Sequence, residues 1–338
     1  MIVKDDRLVD SPLATILVLT YNQESMVGST IESVVSQLTD FEYEVLLVDD
    51  CSTDKTMQVC IEYQKKYPEK ILFIENEPNK GIKRNFFESL SYYARGRYLA
   101  ICGGDDWWCD TQKLQKQVDY LRLHKDYTMV HTRNLVWEDG TDLAKAHTTK
   151  ISDRSIFDKL VVENGVSALT VCFTHESFDG FVKEIDPLNQ SLPMDDYSMW
   201  IWHAYRGKIH MIDDVTAVYR VVKNSLSHST NYKKMHHIET ERREIKMFFL
   251  THFGIKRTDL EDKIALKCYL DTLMTTDMVG DSDLRAERNK FFLKKHYYLF
   301  YLVGLLYKAC GTNESMNKRV RLIDRVIRHF HPTHKYYI

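Results

Sequence analysis

Two adjacent aspartates in the first third of the sequence, Asp105 and Asp106, have the types and spacing to do chemistry. They lie in the stretch "ICGGDDWWCD" (101–110), after two glycines and before two tryptophans. Neighbouring side chains of an extended segment point in opposite directions, so one carboxylate can bind a metal ion while the other binds a ligand hydroxyl. Carboxylate oxygens favour Mg²⁺ or Mn²⁺, which also bind substrate phosphates. The stretch predicts a phosphate-bearing ligand, and the alternative is a solvated turn.

The elements around this stretch alternate between strand and helix patterns. Apolar, β-branched runs at 14–20, 43–50, 71–76 and 96–104 predict strands, and helical spacing of apolar residues separates them. This alternation predicts a mostly parallel sheet with helices on both faces. The carboxyl ends of parallel strands meet at one edge, so the loops "TYNQE", "DDCSTD", "NEPNKG" and "GGDDWW" should gather there, where open α/β sheets bind ligands.

The loop after the first strand has no glycine-rich phosphate motif. "TYNQE" stands where a dinucleotide fold or a P-loop enzyme would carry its glycines, which disfavours both classes. Tyr21 instead offers an aromatic face to a base, and Asp50 offers an acceptor to a base or a ribose. The alternative is that Tyr21 only packs and Asp50 only caps a helix.

Composition excludes several other classes. The formal charge is −2, from 46 basic and 48 acidic residues, and this gives no overall field for binding nucleic acid. The seven cysteines are odd in number and form no C-x-x-C pair, which is typical of reduced thiols in a cytosolic protein. The N-terminal stretch "MIVKDDRLVDSP" is acidic and polar, unlike a secretory signal. We therefore expect a cytoplasmic protein.

The C-terminal part of the chain is basic and helical in pattern. From Arg285 onward there are twelve Lys and Arg against three acidic residues. The apolar segment 297–307 has eleven residues, too few for the roughly 20 that span a bilayer as a helix. It predicts an element on the inner, anionic face of the cell membrane, and the alternative is a buried helix of a C-terminal bundle.

Five sequence blocks in order resemble family 2 glycosyltransferases of the GT-A fold. They are "LVLTYNQESMVGSTIESVVSQ", "EYEVLLVDDCSTDKT", "ENEPNKGIKRN", "ARGRYLAICGGDDWWCDTQKLQKQVDYL" and "PMDDYSMWIWHAYRGKIHMIDDVTAVYR". The resemblance covers roughly residues 13–230 and implies a GT-A domain there, with a nucleotide-binding half (13–110) and an acceptor half (111–230). Residues 1–12 form a lead before it, and residues 231–338 lie outside the resemblance, where the sequence pattern predicts a C-terminal helical extension.

The resemblance also implies a reaction and its partners. Family members invert configuration as they transfer a sugar from a nucleoside diphosphate, usually UDP, to an acceptor hydroxyl with Mg²⁺ or Mn²⁺. In many bacterial relatives that build surface polysaccharides, the acceptor is a saccharide or a lipid-linked saccharide.

Matching positions give each candidate residue a role. The residues implied to bind the nucleotide sugar are Thr20, Tyr21, Asn22, Asp50, Asn79, Arg84 and Asp105. Asp106 is the implied metal ligand, and His228 is a candidate third ligand or an ordinary structural histidine. Asp196 matches the catalytic base that must sit across the sugar from the departing diphosphate, although acids at 195 and 196 also suit a helix N-terminus. Of the tryptophan pair we expect one in the core and the other, Trp108, at the acceptor.

Three rival classes can be weighed on the same residues. A sugar-nucleotide pyrophosphorylase would need a Gly- and Arg-rich loop in place of "TYNQE". A polymerase, which can also carry GDD, would need basic grooves and antiparallel strands. A catalytically inactive nucleotide-binding module would not need the acids at 105, 106 and 196.

Overall fold

The computed structural model describes residues 1–138, 144–147, 156–192, 195–222, 232–265 and 267–268. The chain divides into two compact units, one made of residues 1–230 and 244–255 and the other of 231–243 and 256–338. The boundaries predicted from the sequence, at residues 12, 110 and 230, stay predictions.

In the first half of the larger unit, helices alternate with the strands of a mostly parallel sheet. In chain order the elements are β1 (Ile2–Val3), β2 (Ala14–Thr20), α1 (Val27–Val35), β3 (Tyr43–Asp49), α2 (Thr56–Lys66), β4 (Ile71–Glu75), α3 (Ile82–Tyr93) and β5 (Tyr98–Gly103). Strands β4, β3, β2 and β5 lie side by side and run parallel. A helix follows each of the strands β2, β3 and β4, and the short strand β1 is antiparallel to β4. The predicted α/β fold with a mostly parallel sheet is confirmed.

The second half extends the same sheet with strands of both directions. The elements are β6 (Trp107–Trp108), α4 (Lys113–Leu123), β7 (Tyr127–Glu138), β8 (Ala144–His147), α5 (Ile156–Val162), β9 (Cys172–Thr174), α6 (His175–Ile185), α7 (Asp196–Arg206) and β10 (Lys208–Val221). Helix α8 (Tyr232–His252) follows, and its residues are divided between the two units. Within the described residues the sheet order is β1-β4-β3-β2-β5-β9-β7-β10-β6, with β8 beside β7. Strand β9 is antiparallel to both β5 and β7, whereas β10 runs parallel to β7.

Burial explains why the central strands read as continuous apolar runs. Six of the seven residues of β2, and all seven of β3, are buried, because helices cover both faces of the sheet. Helix α1 packs Val27, Ile31 and Val34 into the core. No helix in the described ranges is long and apolar enough to span a membrane, and the apolar segment 297–307 lies outside them.

A buried carboxylate fixes the amino-terminal edge of the sheet, opposite the predicted site. Glu44 is fully buried and accepts hydrogen bonds from Thr15 Oγ1 at 2.7 Å, from the Arg95 backbone N–H at 2.9 Å and from Arg95 Nε at 2.8 Å. A buried charge with this many donors is satisfied, but removal of the carboxylate would leave those donors without their partner.

We expect Glu44→Ala to lower the free energy of unfolding by about 2–4 kcal/mol, because Arg95 and Thr15 lose a buried acceptor. Urea unfolding followed by tryptophan fluorescence measures this. The matched control is Glu42→Ala, at an exposed position on the same segment, with an expected change within about 0.5 kcal/mol. Equal losses in the two variants would contradict the importance of the buried pair.

Candidate functional site

The loops that follow β2 and β3 are joined by side-chain hydrogen bonds. Asn22, at a left-handed φ of 52°, accepts at Oδ1 from the Thr53 N–H at 2.8 Å, and its own N–H donates to Ser52 Oγ at 2.9 Å. The Gln23 N–H donates to Thr56 Oγ1 at 2.7 Å. These hydrogen bonds fix the two loops relative to each other, and the amide oxygen of Asn22 is occupied by one of them.

Two other predicted nucleotide-binding residues of the first loop differ in exposure. Tyr21 is 48% exposed, so its ring is available to a ligand. Thr20 is buried, and its hydroxyl donates to Gln23 Oε1 at 2.8 Å. The structure therefore offers an aromatic face at the end of β2, as the sequence predicts.

Asp50 organises the loop that follows β4. It is 5% exposed, and its carboxylate accepts from Asn76 Nδ2 and from the backbone N–H groups of Lys80 and Gly81, at 2.9, 3.0 and 2.9 Å. Gly81 has a φ of 75°, which suits glycine. Asn79 Nδ2 donates to the Asp50 carbonyl at 2.6 Å. Asp50 and Asn79 are thus brought together, at the carboxyl edge of the sheet.

Arg84 has a different neighbourhood from the one its predicted role suggests. It lies on α3, 61% exposed at its side chain, and its Nε is 3.1 Å from Glu88 Oε1, one helical turn away. An exposed pair of this kind contributes little to stability. Its contact with a nucleotide stays a prediction.

The two central aspartates converge on the space beside Gly103. A Cβ atom on Gly103 would lie 2.9 Å from Asp105 Oδ1 and 3.3 Å from Asp106 Oδ2. The other oxygen of Asp106, Oδ1, accepts the Arg220 backbone N–H at 2.9 Å. Thr30 on α1 fixes the loop from beneath by donating to the carbonyls of Gly104 and Asp106. One oxygen of each carboxylate therefore faces the same space.

Burial dominates the electrostatics of this pair. It raises the pKa of Asp105, against the opposing effects of hydrogen bonding and of the Arg220 charge. The pKa of Asp106 is raised well above its usual range, first by burial and then by the negative charge of Asp105. Two close carboxylates that are poorly hydrated favour a cation between them.

The tryptophans after the aspartates face opposite sides of the sheet, and Trp108 is the buried one. It is 4% exposed, its Nε1 donates to the Leu169 carbonyl at 3.0 Å, and Lys113 Nζ lies 3.9 Å from its ring centre. A ring enclosed in this way cannot stack on an acceptor sugar. The expectation for Trp108 is therefore corrected, and Trp108 is the core member of the pair.

Trp107 belongs to an aromatic cluster that sequence reasoning missed. The Arg220 guanidinium packs against an edge-to-face pair of indole rings, its central carbon 4.9 Å from the centre of Trp107 and 5.1 Å from that of Trp137, and the two ring centres are 5.6 Å apart. The arrangement follows from register, since β10 pairs Arg220 with Trp137 of β7 on one side and Val218 with Trp107 of β6 on the other. Only the strand pairing, which spans about a hundred residues, could have revealed Trp137.

The two acids at the start of α7 have separate tasks. Asp195 is the N-cap and forms a capping box with Ser198, which satisfies backbone donors of the first turn. Asp196 is the first helical residue and is half-buried, and its Oδ1 accepts the N–H of Tyr197 at 2.8 Å. The helix-terminus interpretation thus holds for Asp195, and Asp196 follows it on the helix.

The donor set for a metal ion consists of the two aspartates alone within the described ranges. No group of three or more His, Cys, Asp or Glu side chains that could hold a metal occurs there. His228, the candidate third ligand, lies outside the described residues. Two converging carboxylate oxygens suit Mg²⁺ or Mn²⁺, which take further ligands from water and substrate phosphates. The residues present fit such an ion.

Comparison with known proteins finds a family match for part of the chain. Residues 15–176 match the family described as Glycosyl transferase family 2, and the resemblance drawn from the sequence is confirmed. An uncharacterised protein of Mycobacterium tuberculosis is 33% identical over 217 residues, which is 64% of this chain and 60% of that protein. The chain thus spans less than two thirds of the length of that relative.

A relative of named activity is similar over a comparable region. The Escherichia coli UDP-Glc:alpha-D-GlcNAc-diphosphoundecaprenol beta-1,3-glucosyltransferase WfgD is 26% identical over 238 residues, 67% of this chain and 84% of that protein.

Two solved structures share the fold. S. aureus TarS 1-349 in complex with UDP-GlcNAc has a TM-score of 0.52 and 17% identity, over 84% of this chain and 93% of that one. The mannosyltransferase PcManGT from Pyrobaculum calidifontis, in complex with GDP-Man and Mn²⁺, has a TM-score of 0.50 and 15% identity, over 96% and 88%. The GT-A fold is confirmed.

We expect Asp106→Asn to stabilise the metal-free protein at neutral pH. An acid whose pKa is raised on folding stabilises the fold below the ordinary carboxyl pKa of 3.8, and that contribution is lost as pH rises through the raised value. Asparagine keeps the acceptor for the Arg220 N–H and carries no charge. At pH 7.5 in EDTA its Tm should be about 2–4 °C higher than that of the wild type, and the difference should shrink by pH 4.

The control for this measurement is Asp6→Asn, at an exposed position far along the chain, which should leave Tm unchanged. A Tm for Asp106→Asn that is no higher than the wild-type value at pH 7.5, or a gain independent of pH, would show that burial does not penalise this carboxylate.

Proposed function

Because residues 15–176 belong to glycosyl transferase family 2, we propose that the whole chain is an inverting, metal-dependent glycosyltransferase. It transfers a sugar from a UDP-sugar to a hydroxyl of a saccharide or a lipid-linked saccharide. The observation that carries this proposal is the convergence of Asp105 and Asp106 beside Gly103. They lie at the edge of the sheet from which the loops after β2, β3 and β4 also extend.

The nucleotide end of the donor binds to the joined loops. Tyr21 offers its exposed ring to the base, and Asp50 offers a buried carboxylate that the loop 79–81 already orients. Thr20 at the end of β2, and Asn22 and Asn79 in the loops, lie at the same edge, and Arg84 on α3 is a further candidate for contact with the nucleotide. UDP is favoured because TarS is solved with UDP-GlcNAc and the name of WfgD specifies UDP-Glc.

The diphosphate end binds beside the aspartates. Asp106 would hold Mn²⁺ or Mg²⁺ through Oδ2, and Asp105 would lie nearer the ribose or the donor sugar, with His228 a further candidate ligand. Support comes from the converging oxygens and from the Mn²⁺ bound to PcManGT. Such an ion, when bound, neutralises charge on the leaving diphosphate. Arg220, oriented by two indoles, adds a fixed positive charge on the same side.

Asp196 is the general base. It accepts the proton of the acceptor hydroxyl as the oxygen of that group bonds to the anomeric carbon, and the bond from this carbon to the diphosphate breaks on the opposite face. The products are UDP and a glycoside of inverted configuration. The proposal therefore puts the aspartate pair 105–106 and Asp196 on opposite sides of the donor sugar.

The acceptor is proposed to be a saccharide or a lipid-linked saccharide of bacterial surface polysaccharide. The name of WfgD specifies a diphosphoundecaprenol acceptor, and the basic segment 285–338 suits peripheral contact with the inner face of the cell membrane. That segment lies outside the described residues. The chain would work in the cytoplasm, where nucleotide sugars are made, and Trp107 replaces Trp108 as the candidate for acceptor contact.

Asp106→Ala should abolish metal-dependent binding of the donor. In a thermal-shift screen of UDP-glucose, UDP-GlcNAc and GDP-mannose with Mn²⁺, the wild type should gain stability with its donor, and the variant should not. Donor stabilisation that is equal in both proteins would remove Asp106 from the metal site. A wild type that gains stability with no nucleotide sugar would count against the glycosyltransferase proposal.

Asp196→Asn should spare donor binding and lower the rate of UDP release by about 10²-fold or more, because the substituted side chain cannot accept the acceptor proton. The Tm gain with Mn²⁺ and donor should match that of the wild type. Asp195→Asn is the matched control, since asparagine also caps helices and should retain most activity. A fully active Asp196→Asn enzyme would refute the assigned base, and an inactive wild type would favour a nucleotide-binding module.

A further inference from the structure

Lys83 connects the first turn of α3 to a loop more than a hundred residues away in sequence. Its Nζ donates to the carbonyl oxygens of Gln190 at 2.9 Å and Leu192 at 3.3 Å. Residues 186–195 form the connection between α6 and α7, and α7 begins at Asp196. The ammonium group therefore holds residues 190–192, which precede the proposed general base in the chain; residues 193–194 of the connection lie outside the described residues.

The rest of this connection is shaped by its own contacts. Asp186 ends α6 in the left-handed conformation, with a φ of 50°. Gln190 Nε2 donates to the Ile185 carbonyl at 2.6 Å, and Asn189 Nδ2 donates to the Asp186 carboxylate at 2.9 Å. These bonds fold the connection onto the end of α6. The bonds from Lys83 instead join the connection to the first turn of α3.

The ammonium group of Lys83 is partly buried and has no nearby carboxylate in the part of the chain that the structure describes, which is unusual for a lysine that only holds a surface loop. Its side chain is half-buried, and burial first, followed by the neighbouring Arg84 charge, lowers its pKa. Among the described residues no carboxylate lies within 4.0 Å of its ammonium nitrogen. Two backbone carbonyls accept hydrogen bonds from the ammonium group. The ammonium group therefore holds the backbone of residues 190–192 in place, and that backbone satisfies the partly buried charge.

Lys83 also follows the loop 79–81, which we call the donor loop because it orients Asp50. The backbone N–H groups of Lys80 and Gly81, three and two residues before Lys83, donate to the Asp50 carboxylate at 3.0 and 2.9 Å. We propose that Lys83 is a positioning residue, which holds the segment before Asp196 in register with the donor loop so that the base faces the acceptor. This inference rests on the proposed function of Asp196. It adds a physical link between the donor loop, which is proposed to bind the donor nucleotide, and Asp196, which is proposed to act on the acceptor.

The test is Lys83→Met, which keeps the apolar stem and removes the charge and both hydrogen bonds. A misplacement of about 1 Å can cost about 10²-fold in rate, so we expect the rate of UDP release to fall by about 10- to 100-fold. The probes are the nucleotide sugar that stabilises the wild type most, Mn²⁺, and either water or GlcNAc-diphosphoundecaprenol as acceptor. Donor Kd should change less than twofold, and Lys83→Arg should recover most of the rate.

A second readout does not depend on turnover. Amide hydrogen exchange in residues 187–198 should quicken at least tenfold in Lys83→Met, while exchange in residues 20–24 should not change. The matched control is Lys66→Met on α2, whose ammonium pairs with Glu32 at the surface and should affect neither measurement. If Lys83→Met does not fold, Lys83→Gln, which keeps one amide donor, is measured in the same way.

Two outcomes would overturn the inference while leaving the proposed function intact. One is a wild-type rate in Lys83→Met alongside an inactive Asp196→Asn. The other is a fall in donor affinity as large as the fall in rate, which would make Lys83 a donor-binding residue. A fully active Asp196→Asn would refute both the proposed base and its positioning, so the two failures are distinguishable.

Discussion

The hydrogen bond from the Arg220 backbone to Asp106 Oδ1, 2.9 Å long, is the contact on which the arrangement of the site depends. It joins β10, in the second half of the sheet, to the loop after β5, in the first half. It also occupies one oxygen of Asp106, so the other oxygen faces the space beside Gly103. The guanidinium of the same residue packs against the rings of Trp107 and Trp137. Its positive charge opposes the rise in the pKa of both aspartates, which offsets part of their mutual repulsion.

Much of the first half of the fold could be predicted because its signals are local. Strands β2 to β5 are short apolar runs, and the helices between them show helical spacing of apolar residues. The polar loops that follow these strands gather at one edge because parallel strands must end there. Tyr21, Asp50 and the aspartate pair were therefore found at the expected edge without any knowledge of contacts.

The second half was less predictable because its strand order is not local. The adjacent residues Trp107 and Trp108 must face opposite sides, but which one enters the core depends on how β6 pairs with β10. The sequence carries no sign of that register, and the expectation for Trp108 was wrong for this reason. Arg84 was assigned by its place in a motif, yet in the structure its recorded charge contact is with Glu88 on the same helix. Lys83 lay in the same motif, and its contacts are 107 and 109 residues away.

The hydrogen bonds between the loops at 20–24 and 50–56 have a consequence for how a ligand is received. A flexible loop loses conformational entropy when it closes on a ligand, and that loss weakens the observed affinity. Here hydrogen bonds already join the two loops before any ligand binds. The loss of conformational entropy on ordering the loops therefore occurs when the protein folds. A base and ribose that enter this region meet a surface of fixed shape, and the free energy of their contacts is available to hold the rest of the ligand in place.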